Sequence, residues 1–180
     1  DNVAPLAVEG GLIGIDTKAG ELVDVASLPW PKGLYIVTVT PNFALETMKM
    51  RAAVSRKTIN CIVASEAAHK RAEVMRGLYE NDLDRVIRFA GDGIIEEQRW
   101  SLIFESDALR KHVAERCNLG SQISLGISGS GPTIYCLASS RESADQIGQE
   151  LREIWKSHGM KSWYFVHDKN DKGARIIHCS

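Results

Sequence analysis

Three groups of residues in this chain have types and spacings that could do chemistry together. The first is Gly126-Ile127-Ser128-Gly129-Ser130-Gly131-Pro132-Thr133, three glycines and two serines set between apolar runs. Glycine lets backbone approach a ligand or a second loop more closely than any Cβ allows, and successive N–H groups and hydroxyls can face an anion. The same residues would also serve as a plain tight hairpin. The second group is Thr47 and Arg51, four residues apart where a helix should begin. A hydroxyl there can cap a first-turn N–H, and position i+4 shares its face. A cation at a helix N-terminus opposes the macrodipole, unless an anion joins it. Free N–H groups, hydroxyl and guanidinium would then converge on one carboxylate, which arginine can hold bidentately. Without such an anion, Thr47 is only a cap and Arg51 a solvated cation. The third group is more scattered. Arg99 follows Glu96-Glu97-Gln98, a surface arginine by spacing alone. Asn2 carries an amide able to donate to and accept from one hydroxyl; Asp1 beside it fits either a base or a helix cap. His69, His112, His158, His167 and His178 show no metal-ligand spacing, and no metal site is expected.

The elements that must position these residues follow from periodicity. Residues 2–10 read as a short helix, with short strands at Leu12–Ile15 and Leu22–Val25 around a polar turn at Thr17–Gly20. Ser27–Gly33 is a Pro/Gly connector, and the domain boundary is expected there, dividing 1–30 from 31–180. Leu34–Thr40 is a β-branched and aromatic strand. Helical spacing then covers roughly 47–55, 57–78, 81–90 and 105–117. Ile123–Ile127 and Thr133–Ala138 read as strands flanking the glycine loop. Ser140–His158 is a strong helix, and Trp163–His167 with Ala174–His178 a closing strand pair. An α+β fold, a sheet with helices packed on one face, is the expected architecture.

Composition sets outer limits. The 180 residues, 44% hydrophobic and 25% charged with a formal net charge of −1, suit a soluble globular chain and give no basic surface for nucleic acid. No apolar run approaches the ~20 residues needed to cross a bilayer. Cys61, Cys117, Cys136 and Cys179 are widely spaced, as expected of separate thiols in a reducing cytoplasm.

The glycine loop closely resembles the third signature motif of the GHMP small-molecule kinases, and other segments resemble homoserine kinases among them. Asp1-Asn2-Val3-Ala4-Pro5 is similar to the end of a His-x-Asp-Asn-Val-Ala-Pro segment. Pro41 to Arg51 is similar to a Pro-x(5)-Thr-x(3)-Arg segment, Glu96 to Arg99 to a Glu-x-x-Arg element, and Gly173-Ala174-Arg175 to a C-terminal Gly-Ala-Arg. One departure is Glu46, where the family often has Ser; its carboxylate must point away or pair with Lys49 or Lys57.

The resemblance implies a ferredoxin-like C-terminal substrate domain at 31–180, preceded at 1–30 by a remnant of the N-terminal nucleotide-binding domain. It implies ATP-dependent phosphorylation of the L-homoserine side-chain hydroxyl to O-phospho-L-homoserine, on the way to threonine. Thr47, Arg51 and Arg99 would hold the substrate's charged end, and Asn2 would lie beside the acceptor hydroxyl. Ser128, Gly129, Ser130 and Gly131 would support a phosphate loop. Mg²⁺ and ATP would sit mainly on an N-terminal half whose Gly-Leu-Gly-Ser-Ser loop is absent from this sequence. That half is an implied partner, this portion alone is expected to be inactive, and a homodimer is compatible with the family. Two other readings remain: a GHMP kinase acting on another alcohol, and a non-catalytic ferredoxin-like module that binds an amino acid and regulates a partner.

Overall fold

Alternation of buried and half-buried residues along Tyr35–Pro41 marks the central strand of a four-stranded antiparallel sheet. The computed structural model of the chain describes residues 12–18, 21–55 and 59–169. In order, these form β1 (Leu12–Lys18), β2 (Glu21–Leu28), β3 (Tyr35–Pro41), α1 (Thr47–Ala52), α2 (Cys61–Glu80), α3 (Leu83–Phe89), α4 (Ile95–Arg99), a 3₁₀ turn (Trp100–Leu102), α5 (Ser106–Asn118), β4 (Ile123–Ile127), β5 (Ile134–Ala138), α6 (Arg141–Ser157) and β6 (Ser162–His167). The strand order is β4-β5-β3-β6, with every neighbouring pair antiparallel. Taken from β3 onward, helices, β4, β5, α6 and β6 trace the split βαβ pattern of ferredoxin-like folds.

β1 and β2 pair with each other in a separate two-stranded sheet. They run longer than the expected short strands: Thr17 and Lys18, read as turn, continue the ladder beyond an irregularity at Asp16/Thr17. The expected helix at 2–10, Asn2, and the Ala174–His178 strand lie outside the described residues.

Packing follows the strand period. Val37 and Val39 of β3, Ile134 and Cys136 of β5, and Ile123 and Ile127 of β4 are buried on one face. There they meet Leu109 and Val113 of α5 and Ala144, Ile147, Leu151 and Trp155 of α6. α6 is held by an N-cap bond from Ser143 N–H to Ser140 Oγ (3.1 Å). Its apolar stripe is buried along its length, each large side chain contributing about 1.5–3 kcal/mol. Trp155 is fully buried, and its indole N–H donates to Phe104 O at 2.8 Å. At Gly148 the helix lies against the sheet so closely that a Cβ would stand 2.5 Å from Tyr164 Cδ2 and 2.9 Å from Val37 Cγ1. A second, smaller cluster joins Leu78 of α2 and Val86 and Ile87 of α3 to Leu34, with Leu137 packed against it. Leu137 neighbours the buried Cys136 in β5 and so points to the other face. Trp163 and Phe165 of β6 lie exposed.

α4 was not foreseen, because five residues carry no apolar period to read. α1 is shorter than expected, ending at Ala52.

Candidate functional site

The glycine loop grows out of β4 and turns back into β5. Ser128 N–H donates to Thr133 O, and Gly131 N–H to Ser128 O, both at 2.9 Å. These two bonds close the turn, so not every loop N–H is available to an anion. Gly129 and Ser130 N–H, and the hydroxyls of Ser128 and Ser130, have no partner among the described residues. Gly131 has φ +73°, a conformation costly for a residue with a Cβ. A Cβ there would also stand 3.1 Å from Ile103 Cδ1 and 3.2 Å from Ile127 Cγ2 and Met50 Cε. The base of the loop therefore presses on the core and on a side chain of α1.

α1 begins one residue earlier than a Thr47 cap requires. Glu46 is extended (φ −65°, ψ 125°), and its carbonyl accepts from Lys49 and Met50 N–H, which makes it the N-cap. Thr47 becomes the first helical residue, and its hydroxyl has no partner among the described residues. The Glu46 carboxylate pairs with Lys49 at 3.2 Å, both exposed. Met50 is fully buried and anchors the helix against the loop. Arg51, next along the chain, is exposed.

α4 joins the two. Asp92 Oδ1 accepts from Ile94, Ile95 and Glu96 N–H at 2.8, 2.8 and 3.0 Å, organising the start of the helix. From its last turn, Arg99 Nε donates to Met50 O (3.2 Å) and Nη1 donates to Gly129 O (3.3 Å). Gln98 Oε1 accepts from Ser55 N–H at 2.7 Å, just beyond α1. On the other side, Glu96 Oε1 accepts from Ile127 N–H (2.8 Å) and Oε2 from Asp92 N–H (3.2 Å). Burial pushes the Glu96 carboxyl above its ordinary range against the pull of those two N–H donors, and Asp92 and Glu97 add to the rise. Burial also pushes the Tyr135 phenol up, Glu96 and Asp92 contributing.

The structure thus brings Arg99 to α1 and to the glycine loop at once. A guanidinium has five N–H donors; two are committed here, and three remain. Neither Arg99 nor Arg51 pairs with a carboxylate among the described residues, whereas nearby Arg110 is neutralised by Glu97 at 3.0 Å. At the loop itself, the uncompensated Arg99 guanidinium, the open Gly129 and Ser130 N–H groups and the Ser128 and Ser130 hydroxyls favour an anion; Thr47 and Arg51 stand on α1, which Met50 and Arg99 tie to the loop. Among the described residues no three His, Cys, Asp or Glu side chains group as a metal site, and no helix is long and apolar enough to cross a membrane. A shallow cleft of about 480 Å³ beside the loop is lined by Ser128, Gly129, Thr38, Tyr135 and His167 among others, not by Thr47 or Arg51. Asp92 and Gln98 were given no role from sequence, and Glu96 only a place in the Glu-x-x-Arg element; a further signal was the aspartate ahead of two glutamates, a helix-start pattern.

Residues 74–157 match the family model described as GHMP kinases C terminal. Homoserine kinase of Arabidopsis thaliana is 33% identical over 98% of this chain and 47% of its own length. That of Chlorobium phaeobacteroides is 29% identical over 98% and 53%. The crystal structure of homoserine kinase from Cytophaga hutchinsonii superposes with a TM-score of 0.86 at 29% identity, covering 97% of this chain and 53% of that one. The chain spans about half the length of the curated relatives it matches. Residues 74–157 are thus similar to the C-terminal domain of the GHMP kinases, and the fold as a whole is similar to that of the Cytophaga hutchinsonii structure.

Proposed function

We propose that the full-length protein is a homoserine kinase, transferring the γ-phosphoryl group of ATP to the side-chain hydroxyl of L-homoserine. The observation that carries this is Arg99, which ties α1 to the glycine loop while keeping three N–H donors and no carboxylate partner among the described residues. In this reading Arg99, Arg51 and the Thr47 hydroxyl hold the substrate carboxylate. Asn2, outside the described residues, lies beside the acceptor hydroxyl, and Ser128 to Gly131 brace the phosphate loop of a nucleotide-binding half. The self-paired β1–β2 hairpin supports assigning residues 1–30 to that half and 31–180 to the substrate domain. ATP and Mg²⁺ belong with that half too. Phosphoryl transfer depends mainly on alignment and charge neutralisation, which is what this domain's groups supply. A cytoplasmic location goes with this reading.

The test is steady-state kinetics of the full-length protein. A charge-assisted hydrogen bond is worth about 1.5–3 kcal/mol, so Arg51→Ala should raise the homoserine KM about 10- to 100-fold. The ATP KM should stay within about twofold. Equal effects on both would remove Arg51 from the carboxylate site. A panel of alcohols with and without an amino-acid end should show turnover only with the former.

A further inference from the structure

We propose that Glu96 is a positioning residue for phosphoryl transfer, its two carboxylate oxygens setting the spacing between the glycine loop and the Arg99 guanidinium. The proposal rests on the kinase reading above and extends it to a residue that touches no substrate. β4 is an edge strand, and Ser128 N–H already bonds toward β5 at Thr133 O. Alternation therefore turns the Ile127 N–H outward, where no strand among the described residues waits for it. Glu96 Oε1 takes that N–H at 2.8 Å, and Oε2 reaches back to Asp92 N–H at 3.2 Å. Three residues on, one turn along the same face, Arg99 grips Gly129 O and Met50 O. One five-residue helix so holds the entrance of the loop with an acid, its tip with a base, and the substrate helix with the same base.

The chemistry requires a carboxylate. Both oxygens accept, and both partners are N–H donors. An amide would keep one acceptor and turn an NH₂ toward the other donor. An alanine would leave the Ile127 N–H without its acceptor in a half-buried site. Displacing a reacting group by about 1 Å can cost 10²-fold in rate, so a loosened α4 should register in turnover.

The experiment uses the full-length protein with Glu96→Ala, Glu96→Gln, and Glu96→Gln combined with Arg99→Lys. Expected for Glu96→Ala is a fall in kcat of about 10- to 100-fold with a raised homoserine KM, and a smaller loss for Glu96→Gln. Amide hydrogen exchange should speed at least about tenfold at Ile127 and Gly131 while the amide of Leu151 in α6 stays protected. The double variant should be little worse than Arg99→Lys alone, because both act along one route. If kcat and both KM values stay within about twofold while only the melting temperature drops, Glu96 is structural and the proposal falls. Fold losses that multiply in the double variant would overturn it as well. Should Glu96→Ala fail to fold, Glu96→Gln and the double variant decide between these outcomes. If the wild type phosphorylates no homoserine, the functional reading falls by itself, and exchange at Ile127 and Gly131 then judges the positioning role: faster exchange in Glu96→Gln upholds it, unchanged exchange ends it.

Discussion

Arg99→Lys separates a positive charge from a planar fork, and the structure sets the size of the effect. The guanidinium reaches Met50 O through Nε at 3.2 Å and Gly129 O through Nη1 at 3.3 Å. Lysine ends in a single ammonium, so it can keep one of these carbonyls or reach a substrate carboxylate, but cannot bridge helix and loop while holding the substrate. Hydrogen bonds from charged donors contribute about 1.5–3 kcal/mol each. The Gly129 side is exposed, where water replaces the lost donor, so about 1 kcal/mol is the expected stability loss, a drop of about 2–4 °C in Tm for a domain of this size. On the substrate side, loss of a bidentate contact worth about 1.4 kcal/mol raises the homoserine KM about tenfold. The assays are a thermal melt and initial rates with homoserine and ATP varied separately, both on the full-length protein. A Tm within about 1 °C of wild type together with an unchanged homoserine KM would show that Arg99 contributes charge alone, and the bridging argument would be wrong.

Two further predictions concern the scaffold. Gly148→Ala adds a methyl that gains about 1 kcal/mol of helix propensity. It collides with Tyr164 Cδ2 at 2.5 Å and Val37 Cγ1 at 2.9 Å, and overpacking of a tight core costs about 1–3 kcal/mol. The net expectation is a lower denaturant midpoint; a raised midpoint would show that Tyr164 moves aside freely. The second is pH dependence. The folded protein raises the Glu96 carboxyl above its unfolded value, so in that window the folded state binds the extra proton. Stability from this group is present at low pH and is lost as pH rises from the ordinary carboxylate value through the folded one. Glu96→Gln should flatten that limb of the stability–pH curve in urea titrations, and an unchanged slope would contradict the assignment.

Several features could be read from residue types because their cause is local. Ile123–Ile127 and Ile134–Ala138 are apolar runs either side of a glycine cluster, and they form β4 and β5 within a residue of the expected bounds. α6 was visible from Ala144, Ile147, Leu151 and Trp155 at helical spacing. Thr47 was misread by one position, because a cap depends on backbone angles that Glu46 adopts as readily as threonine. α4 was invisible: its residues are few, all but Ile95 polar, and fixed by partners far away in sequence, namely Met50, Ser55, Ile127 and Gly129.

Sequence by itself determined the kinds of chemistry on offer, a hydroxyl, two guanidinium groups and a glycine turn, together with the strand and helix periods that carry them. Tertiary structure alone decided which groups share a place. Arg99, a surface arginine by spacing, became a bridge, while Arg110 became a neutralised ion pair. Side-chain type sets what a group can donate. Only the folded backbone sets which carbonyls lie about 3 Å away, and whether a carboxylate is there to cancel its charge.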